Sequence, residues 1–252
     1  MILRLRAALV LSLSVAAVVA ATPAFAQQNG IAPADREIRA EVQRKLRGTD
    51  GASRITVDVQ GGVVTLTGMV PTLWAKEEAI RRARSAGQIQ SLVSELEIPK
   101  AENDAALARQ VIERIRKYDR YSVYDSIDGR VNKGVVGLTG AVSAPEKLTD
   151  ILERVAKVRG VQAIDSKIEV LPNSQSDDRL RRAIVTAIYS DPAFENYSMV
   201  DPPIHVIVNN GHVTLVGYVR AQLEVIKAES AARGVFGVLA FENRVQVTGK
   251  GR

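Results

Sequence analysis

His205 and His212 are the only imidazoles in the 252 residues, and the sequence contains no cysteine. A zinc site needs three or four nitrogen or thiolate ligands closing around the ion. Two histidines with no thiolate to add fall short, so neither a metal nor any other cofactor is expected. A Ser/His/Asp triad is open to the composition, but nothing in the sequence marks the sharp strand-to-helix turn that exposes a nucleophilic serine. Glycine-rich turns such as Gln60-Gly61-Gly62 have the composition of a phosphate cradle. A cradle, however, opens a helix, whereas these turns join two β-rich runs, where glycine supplies the positive φ of a hairpin. The sequence reads as that of a non-enzyme.

The remaining chemistry belongs to amphipathic aromatics beside basic residues. Trp74 is the only tryptophan. At ~100° per residue it lies about 180° around its helix from Ala83, pointing away from its own core. Leu73 stands beside it, and Lys76, Arg81, Arg82 and Arg84 follow. Such a helix start suits a membrane-interface anchor, or else a tryptophan packed on a neighbouring module or folded over the helix start. A second candidate is Tyr118-Asp119-Arg120-Tyr121-Ser122-Val123-Tyr124, next to Lys117. Tyr118, Arg120 and Tyr121 could hold phospholipid headgroups, or the tyrosines could cap the end of a core. Phe194, Tyr197 and Met199 pose the same choice in a Pro-bounded loop. Basic residues on the first helices (Arg36, Arg39, Arg44; Arg109, Arg114, Arg116; Arg181, Arg182) read as a solvated face.

The elements that must position these residues recur three times. Gly61–Val70, Lys133–Val142 and Asn210–Val219 align without gaps at shifts of 72 and 77 residues, each carrying a G-x-V-x-L-x-G-like run. The same shifts pair Leu92, Ile164 and Phe241, then Leu96, Ile168 and Val245. Upstream, Asp35, Asp104 and Asp177 align, each followed at +3, +7 and +11 by an apolar residue. That spacing predicts an amphipathic helix, with the Asp expected as its N-cap. Two short strands around a Gly turn follow, near 55–59 and 63–68 with their counterparts, and read as a hairpin. A second helix is expected near 71–86, 143–158 and 220–235, then a third strand near 92–98, 164–170 and 241–247. The fold class is α+β: three tandem α-β-β-α-β modules over 35–99, 104–172 and 177–248, each a three-stranded mixed sheet with two helices on one face. Each module is near the lower size limit for an independent core, so the three should pack on one another.

Ahead of the modules, Arg4 and Arg6 precede an apolar run from Ala7 to Ala21 and an Ala24-Phe25-Ala26 site. This is the pattern of a secretory signal peptide over 1–26, cut after Ala26, with 27–34 a disordered lead-in and 248–252 a loose tail. Cleavage would lower the formal charge from +6 to +4. That excess permits attraction to anionic lipid and is too small and too dispersed to point to nucleic acid.

The repeated pattern resembles the BON domain family. Gly211-His212-Val213-Thr214-Leu215-Val216-Gly217, Gly237-Val238 and Asn243-Arg244-Val245-Gln246-Val247 carry the resemblance best. The second copy has Gly160-Val161, while the first departs from the pattern, with Gln88-Ile89 there and Ser94 at the Asn place. The resemblance implies periplasmic residence, association with phospholipid surfaces, and a role in envelope integrity or osmotic and envelope stress; with the net positive charge, an anionic phospholipid surface is the partner expected. Contact with envelope proteins is the other partnership open to such modules.

Overall fold

The computed structural model describes residues 32–199 and 201–248. The expected signal peptide, the lead-in up to residue 31 and the tail from residue 249 lie outside the described residues.

Module 1 consists of α1 (Pro33–Leu46), β1 (Ile55–Gln60), β2 (Val63–Met69), α2 (Leu73–Arg84) and β3 (Ser91–Glu97). Module 2 repeats the order in α3 (Asp104–Arg116), β4 (Ser126–Asn132), β5 (Val135–Val142), α4 (Pro145–Ala156) and β6 (Ala163–Val170). Module 3 has α5 (Gln175–Tyr189), β7 (Ile204–Asn209), β8 (His212–Val219), α6 (Gln222–Arg233) and β9 (Ala240–Val247). In each sheet the second strand is central, antiparallel to the first and parallel to the third. The second helix is what allows that parallel return. The helices begin and end within about two residues of where periodicity places them. Thr72 shows why α2 starts late: its Oγ accepts a hydrogen bond from the Ala75 N–H, so Thr72 is the cap.

Alternation along the central strands sets the cores. Val64, Leu66, Val136, Leu138, Val213 and Leu215 are buried beneath the helices, each worth roughly 1.5–3 kcal/mol of apolar burial. The predicted helix stripes meet them: Ile38, Val42 and Leu46; Leu107, Val111 and Ile115; Leu180, Ile184 and Ile188. The last glycine of each G-x-V-x-L-x-G-like run has a steric reason. A Cβ on Gly68, Gly140 or Gly217 would stand 2.0, 2.0 or 1.9 Å from a carbonyl oxygen of the first strand or the residue before it.

The aligned aspartates are not N-caps. They sit inside the first turn, where the N-cap positions are Ala32, Asn103 and Ser174. Each carboxylate instead reaches its own module's hairpin turn. Asp35 accepts from the N–H groups of Gly61 and Gly62 at 2.9 Å each. Asp104 accepts from Lys133 and Gly134 at 2.6 and 3.0 Å, and Asp177 from Asn210 and Gly211 at 2.8 and 3.0 Å. Both turn residues have positive φ in every copy. That is the type I′ hairpin geometry, and it leaves two adjacent N–H groups for one carboxylate. Arg181 departs from the expected solvated face, being buried with Asp178 and the Val208 carbonyl as partners.

Candidate functional site

The residues that set one copy apart from the others are where function can lie, and the structure sorts them into two seams and one bare surface. The first seam joins modules 1 and 2. Leu73 packs against the cores of both. Trp74 does point away from its own core, but towards module 2: the Lys157 ammonium stands 4.7 Å from its ring centroid and the Arg81 guanidinium 5.5 Å. Lys76 is half-buried, and Arg81 is exposed and paired with Glu78.

The second seam joins modules 2 and 3 and is built from the turn that follows Tyr118, a residue of module 2's own core. Tyr118 is only 2% exposed. Its hydroxyl donates to Asp150 at 2.5 Å, and the Arg154 guanidinium lies 4.5 Å from its ring centroid. Burial, reinforced by the Asp150 carboxylate, pushes its phenol up to about 12. Tyr121 is half-buried, its oxygen accepting from the Ile127 N–H and its ring 5.6 Å from that of His205. Burial takes this phenol to about 12 as well. Arg120 remains exposed, paired with Glu146 and Asp150. The turn between them is held by Asp125, which is fully buried. Its carboxylate accepts from the Ser122 and Ser143 N–H and hydroxyl groups and from Lys147 at 2.6 Å. Module 3 then docks onto the ordered turn: the Val206 N–H donates to the Val123 carbonyl at 2.8 Å.

Leu73 and Trp74 face module 2, Tyr121 faces His205 of module 3, and Tyr118 is buried in the core of its own module. Lys76, Arg81 and Arg120 are not gathered with exposed aromatics. Phe194 likewise caps the core of module 3, and Tyr197 donates to Glu224 at 3.0 Å. His205 lies in the second seam, and His212 is exposed at the rim of a cleft of about 660 Å³ between the open sheet faces of modules 2 and 3. Asp128, Thr139 and Glu169 line one side of that cleft, and Asn209, Tyr218 and Arg244 the other. Among the described residues, no group of three or more His, Asp or Glu is placed to hold a metal, and no helix is long and apolar enough to cross a membrane.

The bare surface belongs to module 3, and residue-by-residue reading of the aromatics misses it. Leu223 and Ile226 on α6 are 59% and 56% exposed. In the loop after α6, Phe236 is 102% and Leu239 77% exposed. The signal that could have found them is the alignment of the copies, which holds mostly polar residues at these places.

Two solved structures show distant similarity to the chain. CdsD, a structural protein of the type III secretion system of Chlamydia trachomatis, is 14% identical over 84% of this chain and 92% of that one, at a TM-score of 0.25. The PrgH periplasmic domain is 13% identical over 78% and 96%, at a TM-score of 0.20. Nothing about this chain follows from likeness at that level. No curated protein matches the chain. The model of the BON domain matches three times, at residues 34–100, 103–172 and 176–249, one match to each α-β-β-α-β module. The chain belongs to the BON domain family.

Proposed function

We propose that this is a non-catalytic periplasmic protein, exported by a signal peptide cut after Ala26, that binds anionic phospholipid surfaces and supports the envelope under osmotic or envelope stress. One observation carries the lipid reading. Among the described residues, seven of the ten exposed large apolar side chains lie in module 3: Met199, Tyr218, Leu223, Ile226, Phe236, Leu239 and Val247. They belong to a chain of net positive charge, and apolar surface with surplus positive charge is what an anionic leaflet attracts. Co-sedimentation of residues 27–252 with phosphatidylglycerol vesicles tests the reading. Pelleting that weakens with salt is expected, and a chain left in the supernatant at low salt sinks the idea.

The cleft between the open faces of modules 2 and 3 favours a second reading, an adaptor for envelope proteins. Tyr218, half-exposed among hydrogen-bonding side chains, suits an extended segment. Lipid-free crosslinking that recovers one envelope protein, and loses it in Tyr218→Ala, would support this reading; equal recovery by the variant would reject it.

A further inference from the structure

We infer that the bilayer contact is made by module 3, through the loop 234–239 after α6 and the outer face of α6, with Phe236 and Leu239 entering the apolar boundary of an anionic leaflet. The inference rests on the lipid-binding reading above and gives it a place.

The three copies serve as controls for one another. At shifts of 77 and then 72 residues, Leu223 corresponds to Glu146 and Trp74, and Ile226 to Thr149 and Glu77. Phe236 corresponds to Arg159 and Gly87, and Leu239 to Gln162 and Gln90. Of the eight counterparts only Trp74 is large and apolar, and module 2 covers it. Module 3 alone places large apolar side chains at all four positions, and among the described residues nothing covers them. Single exposed apolar residues are ordinary, but a group of them confined to one copy of a repeat is not.

Backbone routing explains why the loop is bare. In module 2 the equivalent loop is roofed by the linker that enters α3. Gln162 donates to the carbonyls of Ile98 and Pro99, and Gly160 lies so close that a Cβ on it would be 2.6 Å from that of Ala101. The next linker goes elsewhere: the Leu171 N–H donates to the Val142 carbonyl at 2.9 Å and its side chain is buried. Gly237 is left with only Leu180 nearby, 3.9 Å from where its Cβ would stand.

Shape chooses the occupant. Phe236 stands fully clear of the surface between Gly234 and Gly237. A deformable leaflet accepts such a knob without a preformed pocket. Next to Leu180 on α5, Arg179 is exposed and without an ion pair among the described residues. Of the nearby acids, Asp178 pairs with Arg181, Glu229 with Arg233 and Asn243, and Glu242 with Arg244, while Glu224 accepts from the Arg220 and Ala221 N–H groups and the Tyr197 hydroxyl. The net positive charge that draws the protein to an anionic headgroup layer belongs to the chain as a whole.

The test uses residues 27–252 and phosphatidylglycerol vesicles. Losing burial of one Phe and one Leu should weaken binding by about tenfold or more, so Phe236→Ser with Leu239→Gln should show that loss at an unchanged unfolding midpoint. Met69→Gln with Val93→Thr, which changes exposed apolar residues of module 1, should bind like the unaltered chain. In a Trp74→Phe background, Phe236→Trp supplies a single indole in the loop, whose emission should shift to the blue on adding vesicles. An unaltered chain that does not bind rejects the lipid reading itself. A chain that binds, with the Phe236/Leu239 variant binding equally well or the emission of the introduced indole unmoved, rejects only this location.

Discussion

The imidazole of His205 stands 5.6 Å from the phenol ring of Tyr121, the two planes at 55°, across the seam between modules 2 and 3. Its Nδ1 is 3.2 Å from the Ser122 carbonyl oxygen. A carbonyl can only accept, so the neutral ring carries its proton on Nδ1. The repeat supplies the strand that bears His205, while the segment Tyr118–Tyr124 of the second copy, whose sequence the other copies lack, supplies both of its partners. The attachment of module 3 to module 2 is therefore built from unrepeated residues.

That position makes the seam sensitive to acid. Burial holds the His205 pKa below 6.5; the Ser122 carbonyl, Asp125 and Asp201 act in the opposite direction, and Arg116 acts with burial. Above pH 6.5 the ring is neutral whether the modules are docked or apart, and docking gains nothing from pH. As pH falls through 6.5 towards the lowered value, the undocked histidine takes up its proton first, so docking weakens. Limited proteolysis between modules 2 and 3 should accelerate as pH is lowered from about 7.5 to about 5.5. Because an Asn side chain can donate to the same carbonyl and does not titrate there, His205→Asn should flatten that dependence; an unaltered slope would remove His205 from the account.

Asp125 should be the residue on which the seam most depends. Burial raises its pKa, but the hydrogen bonds from Lys147, Ser143 and Ser122 outweigh that and hold it below the usual carboxylate value. Replacing it by Ala strands four donors and the Lys147 ammonium, whose side chain is only 12% exposed, a loss of about 3–5 kcal/mol for a broken buried pair. The Asp125 contribution is present above the ordinary Asp pKa and disappears as pH falls through the lowered one. Urea unfolding of Asp125→Ala near neutral pH should show the loss, with module 3 released at lower denaturant than module 2. A variant within about 1 kcal/mol of the parent would mean that the turn is held by something else.

Much of this was legible in the sequence. The three copies, their α-β-β-α-β order and the buried faces of β2, β5 and β8 follow from residue columns, because periodicity is a local property. The partners of those columns are not local. Asp35, Asp104 and Asp177 were visible, as were the turn glycines, but pairing them requires a helix to be folded back over a hairpin some thirty residues later. Likewise the outward angle of Trp74 was readable from ~100° per residue, whereas what it faces depends on how two modules dock. Phe236 was hidden for a different reason: the flanking glycine and valine fit the family pattern, and Phe236 itself stands in a column where the copies do not match.

The first seam gives a sharper test of Trp74. Lys157 lies over its ring with its side chain about half exposed, a geometry worth roughly 0.5–1 kcal/mol. A double-mutant cycle with Trp74→Leu and Lys157→Met, read by urea unfolding of module 1, should return a coupling of about that size. Zero coupling would show that the two side chains do not meet in solution. With its ring occupied by Lys157 and Arg81, Trp74 should also keep its emission maximum when vesicles are added.

The aspartate clamps predict a ranking among the copies. Each carboxylate satisfies two turn N–H groups, and replacing it by Ala leaves both without a partner at about 1–3 kcal/mol. The cost should follow burial, since water can replace the carboxylate where it can reach. Asp177 is 2% exposed, Asp35 7%, and Asp104 more open than either. Asp177→Ala should therefore destabilise most and Asp104→Ala least. Asp→Asn should recover only part of each loss, because one of its two terminal atoms is a donor facing a donor. Hydrogen exchange at Gly62, Gly134 and Gly211 reads each clamp in its own module. Faster exchange confined to the mutated copy is expected, whereas equal acceleration in all three would show that the carboxylates act on the chain as a whole rather than on the turns they touch.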